Sequence, residues 1–183
     1  MAAMFRFEGV EKAYGGQPVL NGVSLALEPG RFCALVGANG AGKTTMIKGL
    51  LDFLSFDAGT ALINGIDHKQ SAARQVLSYL PERFTPPGFA TGWDFLKYIQ
   101  ALHGKPHDAR RVESLCAALD LDPAALSKAV RALSKGMIQK LGLMGAFLPD
   151  KPLLILDEPM SGLDPKARIH LKRHLQGLKE AGT

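Results

Sequence analysis

No uninterrupted apolar stretch in the 183 residues approaches the roughly 20 needed to cross a bilayer as a helix, so no transmembrane helix is expected. The first residues also lack the basic region and apolar core of a signal peptide, which makes a soluble protein of the cytoplasm the expectation. Cysteine is scarce. Cys33 and Cys116 lie far apart, with no Cys or His at metal-ligand spacing, which argues against a disulfide framework or zinc site and for buried thiols in a reducing compartment. Aromatic residues make up only 7% of the chain and do not interleave with a basic run, so no nucleic-acid partner is expected. The net charge of +5 is scattered and often alternates with acids. Only the stretch carrying Lys166, Arg168, Lys172, Arg173 and Lys179 is noticeably basic, and it reads as a solvated helix face. Internal repeats and low-complexity segments are also missing.

What the chain does have is enough apolar residue, 46%, to bury a core, at a length that favours one domain with a subdomain inserted. Its most informative stretch is Gly37-Ala38-Asn39-Gly40-Ala41-Gly42-Lys43-Thr44-Thr45, which fits G-x-x-x-x-G-K-[ST] without a gap. Glycines let the backbone curl and aim successive N–H groups inward, and the following helix adds its positive N-terminal dipole. A polyphosphate fits such a loop. Lys43 would reach the β- and γ-phosphates, Thr44 would place its hydroxyl on Mg²⁺, and Thr45 would bond on the α-phosphate side. The flanks agree: Phe32, Cys33, Ala34, Leu35 and Val36 read as a buried parallel strand, and residues 44–54 read as a helix with Ile47, Leu50, Leu51 and Leu54 inward.

Along the rest of the chain, residues 4–10 and 19–27 suit strands, with Tyr14 between them just ahead of Gly15-Gly16. Residues 59–66 read as a strand with a tight turn at Asn64-Gly65, and 74–80 as another ending at Pro81-Glu82-Arg83. From Thr91, whose spacing to Asp94 resembles a capping box, to Leu133 an all-helical insert is expected, with helical spacing from the capping box until His103-Gly104 and further helices over 108–119 and 123–133. Trp93, Leu96, Ile99 and Leu102 form its core stripe. Leu133-Ser134-Lys135-Gly136-Met137 opens a further helix with Met137, Ile138, Leu141, Met144 and Leu148 inward. The apolar run Pro152-Leu153-Leu154-Ile155-Leu156 then delivers Asp157 and Glu158 at the tip of a buried strand, where two carboxylates need a cation or proton to manage their repulsion. A last helix runs from Asp164-Pro165 toward Gly182 and Thr183.

Together these motifs, in this order, resemble the nucleotide-binding subunit of ATP-binding cassette (ABC) transporters over essentially the whole chain, 1–183, with a helical subdomain at about 91–148. The loop 37–45 resembles Walker A. The strand with Asp157-Glu158 resembles Walker B with its catalytic glutamate, Ser161-Gly162-Leu163-Asp164 the D-loop, and Leu133-Ser134-Lys135-Gly136-Met137 a variant of the Leu-Ser-Gly-Gly-Gln signature. The resemblance implies an α/β P-loop NTPase fold, with a mostly parallel central sheet, an N-terminal antiparallel β layer and the helical insert. It also implies an ATPase using ATP and Mg²⁺, in which Asp157 holds the metal through water and Glu158 acts as general base. Tyr14 would stack on adenine, and Ser134 and the Gly136 N–H would contact the γ-phosphate held by the opposite subunit of a head-to-tail homodimer. A transmembrane permease is the implied partner, placing the protein peripherally on the inner face of the cell membrane.

Three departures from the family pattern bear on that reading. Glu82 stands where the Q-loop glutamine is usual, keeping an oxygen ligand for Mg²⁺ but losing the N–H donors. Lys135 and Met137 replace the usual signature Gly and Gln, a variant resembling cassettes that partner separate export permeases. The family's switch histidine follows one more strand, and the sequence stops at Thr183 where that strand is expected to start. His170 and His174 read as solvated helix surface. The expectation is a partial cassette that binds nucleotide and hydrolyses it slowly. A soluble ABC ATPase and a non-catalytic ATP-binding module are the rival readings.

Overall fold

The computed structural model describes residues 3–182, so Met1, Ala2 and Thr183, the ends of the expected domain and last helix, lie outside the described residues. Two compact units emerge, one over residues 1–77 with 181–183 and the other over 78–180.

The first unit is built on a four-stranded sheet, order β2-β1-β3-β4, from β1 (Phe5–Tyr14), β2 (Gln17–Leu27), β3 (Ala58–Ile63) and β4 (Ile66–Asp67), with every pairing antiparallel. Two hairpins have local causes. Gly15 and Gly16 take φ +57° and +81°, and Asn64 and Gly65 take +49° and +77°. Positive φ at both central residues turns the chain back with the strand twist. Phe5 and Phe7 face inward as the alternation predicts, but at Gly9, with φ +57°, the register slips and Val10 takes the buried position that strict alternation gave to Gly9. Helix α1 (Lys43–Leu50) ends earlier than the expected 54. It buries Met46, Gly49 and Leu50, with Gly49 so near the Phe56 ring that a Cβ would come within 2.0 Å of it. The short helix α2 (Ser71–Arg74) occupies the start of the segment read as a strand over 74–80. Only β5 (Leu77–Leu80) is extended there.

The main correction falls on residues 32–36. They form no strand, and residues 31–41 are exposed, Val36 at 91%. An all-apolar strand is stable when ladder partners line its edges and other elements cover its faces. Among the described residues this run pairs with no strand of either sheet. Cys33, expected to be buried, is therefore an exposed free thiol. Cys116 does follow expectation: it is buried, and desolvation first, then Glu113 and Asp122, pushes its thiol up to about 11.

In the second unit β5 pairs with β6 (Leu153–Leu156), the parallel part of the fold. β6 is less buried than the apolar run suggests, with only Leu153 fully inside. Helix α3 (Gly92–Leu102) begins with the full capping box: the Asp94 N–H donates to Thr91 Oγ1 at 3.1 Å, and the Thr91 N–H donates to Asp94 Oδ2 at 3.1 Å. Leu96 is buried and Trp93 and Ile99 pack on the core, but Leu102 is exposed and Phe95 supplies the stripe instead. Helix α4 (Ala109–Ala118) forms as expected, capped by Asp108. The expected helix over 123–133 is two 3-10 turns, Pro123–Ser127 and Val130–Ala132. Val130 and Arg131 give their N–H groups to Ala90 and Gly88 carbonyls, so the backbone bonds outward rather than along a helix. Helix α5 (Lys135–Phe147) is buried from Gln139 onward, and α6 (Pro165–Glu180) lays Ala167, Leu171 and Leu175 on the core.

His174 on α6 corrects another expectation. Its ring lies 4.6 Å from that of Phe147, and Nε2 is buried with no hydrogen-bond partner among the described residues. Burial, then the charge of Arg111, lowers its pKa. Below about pH 6.5 the unfolded chain protonates this imidazole before the folded chain does, so stability is lost as pH falls from there through the lowered folded value. His103, also lowered by burial first and by Lys151 and Lys105 next, acts in the same sense. Replacing His174 with phenylalanine is expected to flatten the stability curve between pH 6.5 and the acid limb, leaving the part due to His103. Urea midpoints at pH 7.5 and 5.5 measure it, and an unchanged difference would count against the buried neutral imidazole.

Candidate functional site

In the first unit, the loop 37–45 is shaped by two glycines in the left-handed region, Gly40 at φ +84° and Gly42 at φ +86°. Gly42 has no alternative. A Cβ there would stand 2.9 Å from Leu20 Cδ2 and 3.0 Å from the Val19 carbonyl. Gly42 is also the N-cap of α1, so among the described residues no side chain caps the helix's first N–H groups, and no acidic residue lies in its first turn. That leaves a helix N-terminus offering donors and positive dipole to an anion. Lys43 Nζ folds over the loop, donating to the carbonyls of Gly37 at 2.7 Å and Ala38 at 2.9 Å. Thr44 and Thr45 follow in the first turn, both partly exposed. Ala38, Asn39 and Ala41 are exposed, with the Ala41 N–H closing a turn on the Ala38 carbonyl at 3.2 Å. Glycine curl, uncapped helix start and a lysine in one loop fit a polyphosphate.

Tyr14 sits at the end of β1, paired with Gln17 across the hairpin and half exposed. Its surroundings are held in place. Asp57 accepts from Lys12 Nζ at 2.7 Å and from the Ala13 N–H at 2.7 Å, which lowers its pKa, the lysine hydrogen bond first, and Lys12 Nζ stands 5.6 Å from the Tyr14 ring centroid.

In the second unit, Asp157 and Glu158 follow β6 directly, and the Asp157 N–H continues the ladder to the Leu80 carbonyl at 2.9 Å. Glu82 is exposed just beyond β5. The unit brings both acids toward Tyr79: desolvation first, then the charges of Asp157 and Glu82, raise the Tyr79 pKa. Nothing in the sequence marked Tyr79: Glu82 is three residues on, but Asp157 follows β6, more than 70 residues along the chain. Glu158 holds φ +49°, a left-handed conformation unusual for a residue with a side chain and more so before a proline. Its carbonyl accepts from Ser161, closing the turn.

Ser134 is the N-cap of α5, its Oγ accepting from the Met137 N–H at 3.3 Å, and its exposed hydroxyl remains at the helix mouth. Gly136 packs against the turn that follows Glu158, where a Cβ would lie 3.0 Å from the Gly162 carbonyl. Asp164 caps α6 by accepting from Ala167 at 2.8 Å, the main cause of its lowered pKa.

The model of the ABC transporter family matches residues 20–161, most of the chain. This chain belongs to the ABC transporter family. Its curated relatives include an uncharacterized ABC transporter ATP-binding protein of Synechocystis, 38% identical over 89% of this chain and 47% of that protein. A Nod factor export ATP-binding protein I of Burkholderia orbicola is 36% identical, over 96% and 59%, and a linearmycin resistance ATP-binding protein of Bacillus subtilis is 28% identical, over 98% and 58%. The chain thus spans about half the length of the curated relatives it matches. Among solved structures, the ATP-binding subunit of an ABC transporter superposes with a TM-score of 0.89 at 31% identity, covering 98% of this chain and 76% of that one. A putative ABC transporter ATP-binding protein from Pyrococcus furiosus gives 0.85 at 26%, covering 97% and 87%. The fold is that of an α/β P-loop ABC ATPase, with an N-terminal antiparallel sheet, a parallel sheet and helices.

Proposed function

We propose that this chain is the ATP-binding and ATP-hydrolysing part of a membrane ABC transporter, of export type. The loop 37–45 carries the proposal, through its glycine curl, its uncapped helix start and Lys43. Bound there, the triphosphate would receive backbone N–H groups and the Lys43 charge in place of the loop's own carbonyls, with Thr45 toward the α-phosphate and Tyr14 offering a face to adenine. Thr44, Asp157 and Glu82 are the residues that would hold Mg²⁺, which neutralises charge on the β- and γ-phosphate oxygens. Glu158 would accept a proton from the attacking water, giving ADP and phosphate. Ser134 and the Gly136 N–H, at the mouth of α5, would meet the γ-phosphate bound by a second copy in a head-to-tail homodimer.

The partner in this reading is a transmembrane permease, received beside Glu82 and the helical subdomain at about 91–148, with the protein peripheral on the inner face of the cell membrane. Export rests on the Lys135 and Met137 signature variant and on the export and resistance names of two relatives.

Turnover with Mg²⁺ is expected to rise per molecule with protein concentration, since each site would need a second copy. Phosphate release across a hundredfold concentration range, beside nucleotide binding, measures this. A rate per molecule that stays flat would remove the homodimer, and binding without any turnover would favour a non-catalytic module.

A further inference from the structure

We infer that Gln139 is a positioning residue for Glu158, acting through the peptide that follows it; the inference rests on the proposed role of Glu158. Gln139 lies on α5 at the start of its buried stretch and is only 7% exposed. Its side-chain amide crosses to the other motif of the unit: Nε2 donates to the Pro159 carbonyl at 3.2 Å. A buried polar side chain that spends its donor on one backbone carbonyl fixes where that carbonyl points. Pro159 is bonded directly to Glu158.

The need for such a clamp is visible in the backbone. Glu158 is held at φ +49° in front of a proline, a combination that persists only where the surroundings over-determine it. Three restraints do so. The Ser161 N–H closes on the Glu158 carbonyl at 3.0 Å, the Leu163 N–H closes on the Met160 carbonyl at 3.2 Å, and Gln139 ties the peptide between them to α5. The first turn of α5 reinforces the same seam. Gly136 lies against the Gly162 carbonyl, and the stem of Lys135 runs over Gly162, where a Cβ would meet its Cγ at 3.1 Å. The signature helix and the turn bearing Glu158 are thus one joint, to which Gln139 contributes a part-buried hydrogen bond.

Gln139→Met keeps the length and volume of the side chain and removes the donor. It is expected to lower kcat about tenfold while leaving KM for ATP within about twofold, because the aim of the carboxylate is lost and not the phosphate loop. In a Glu158→Gln background the same change is expected to add no further loss. A second readout does not depend on turnover: amide hydrogen exchange at Ser161 and Leu163 is expected to quicken at least about tenfold in Gln139→Met, with Met144 and Leu148 on α5 unchanged. Unchanged exchange at Ser161 and Leu163 would overturn the clamp. An equal fall of kcat in both backgrounds would make Gln139 merely structural. If the parent chain shows no turnover while exchange responds as expected, the clamp stands and the hydrolytic role of Glu158 falls.

Discussion

Lys43→Ala is expected to weaken ATP binding and to lower phosphate release by ~100-fold or more, the size of the rate loss when one preorganised donor facing developing negative charge is removed. The lysine is the sole full positive charge within the loop 37–45, and its Nζ lies over the carbonyls of Gly37 and Ala38. Alanine leaves those carbonyls facing the incoming phosphates without a cation between them. Stability should barely move. Among the described residues Lys43 donates only to its own loop, and α1 keeps its Gly42 start and the Met46-to-Gly42 backbone bond of 2.8 Å, so the melting temperature is expected to shift by no more than about 2 °C. Isothermal titration with ATP and its non-hydrolysable analogue separates the two quantities. Parent-like affinity in the variant would remove this loop from the nucleotide site.

Glu158→Gln is expected to retain ATP binding and lose turnover by ~100-fold or more, within the range for removal of a general base. The amide keeps the shape of the carboxylate and cannot accept the proton of the attacking water. A second substitution at the same position separates chemistry from backbone strain. At φ +49° a side chain costs about 1–2 kcal/mol relative to glycine, so Glu158→Gly should raise the unfolding free energy by ~1 kcal/mol and the melting temperature by about 2–4 °C while also abolishing turnover. A residue that destabilises its own fold yet cannot be replaced without loss of activity is what a strained catalytic position predicts. Retained hydrolysis in Glu158→Gln would assign the base elsewhere, and a lower melting temperature in Glu158→Gly would mean the side chain supports the turn rather than straining it.

The parts of this protein that were legible in its sequence are those whose physics is local. Gly40 and Gly42 curl the loop because they alone accept its dihedrals. Asn64-Gly65 closes a hairpin for the same reason, and Thr91 with Asp94 caps α3 because three residues of spacing bring each side chain to the other's N–H. The order of these motifs was enough to point to the family. Residues 32–36 were misread because a run of apolar side chains states a demand for cover without saying whether neighbours meet it, and among the described residues no strand pairs with them. Likewise 123–133 carried helical spacing, but its backbone donors go to Gly88 and Ala90 on a neighbouring segment.

By itself, then, the sequence determined the glycine curl of the loop 37–45, the turns, the helix caps and the positions at which Asp157 and Glu158 leave their strand, since each depends on residues a few places apart. Only the tertiary structure decided that the His174 ring packs on Phe147 with its Nε2 buried, that Tyr79 feels Asp157, and that Gln139 reaches Pro159. Those contacts join elements distant along the chain, and which polar side chain ends up inside is set by how the elements pack, a quantity that no local pattern carries.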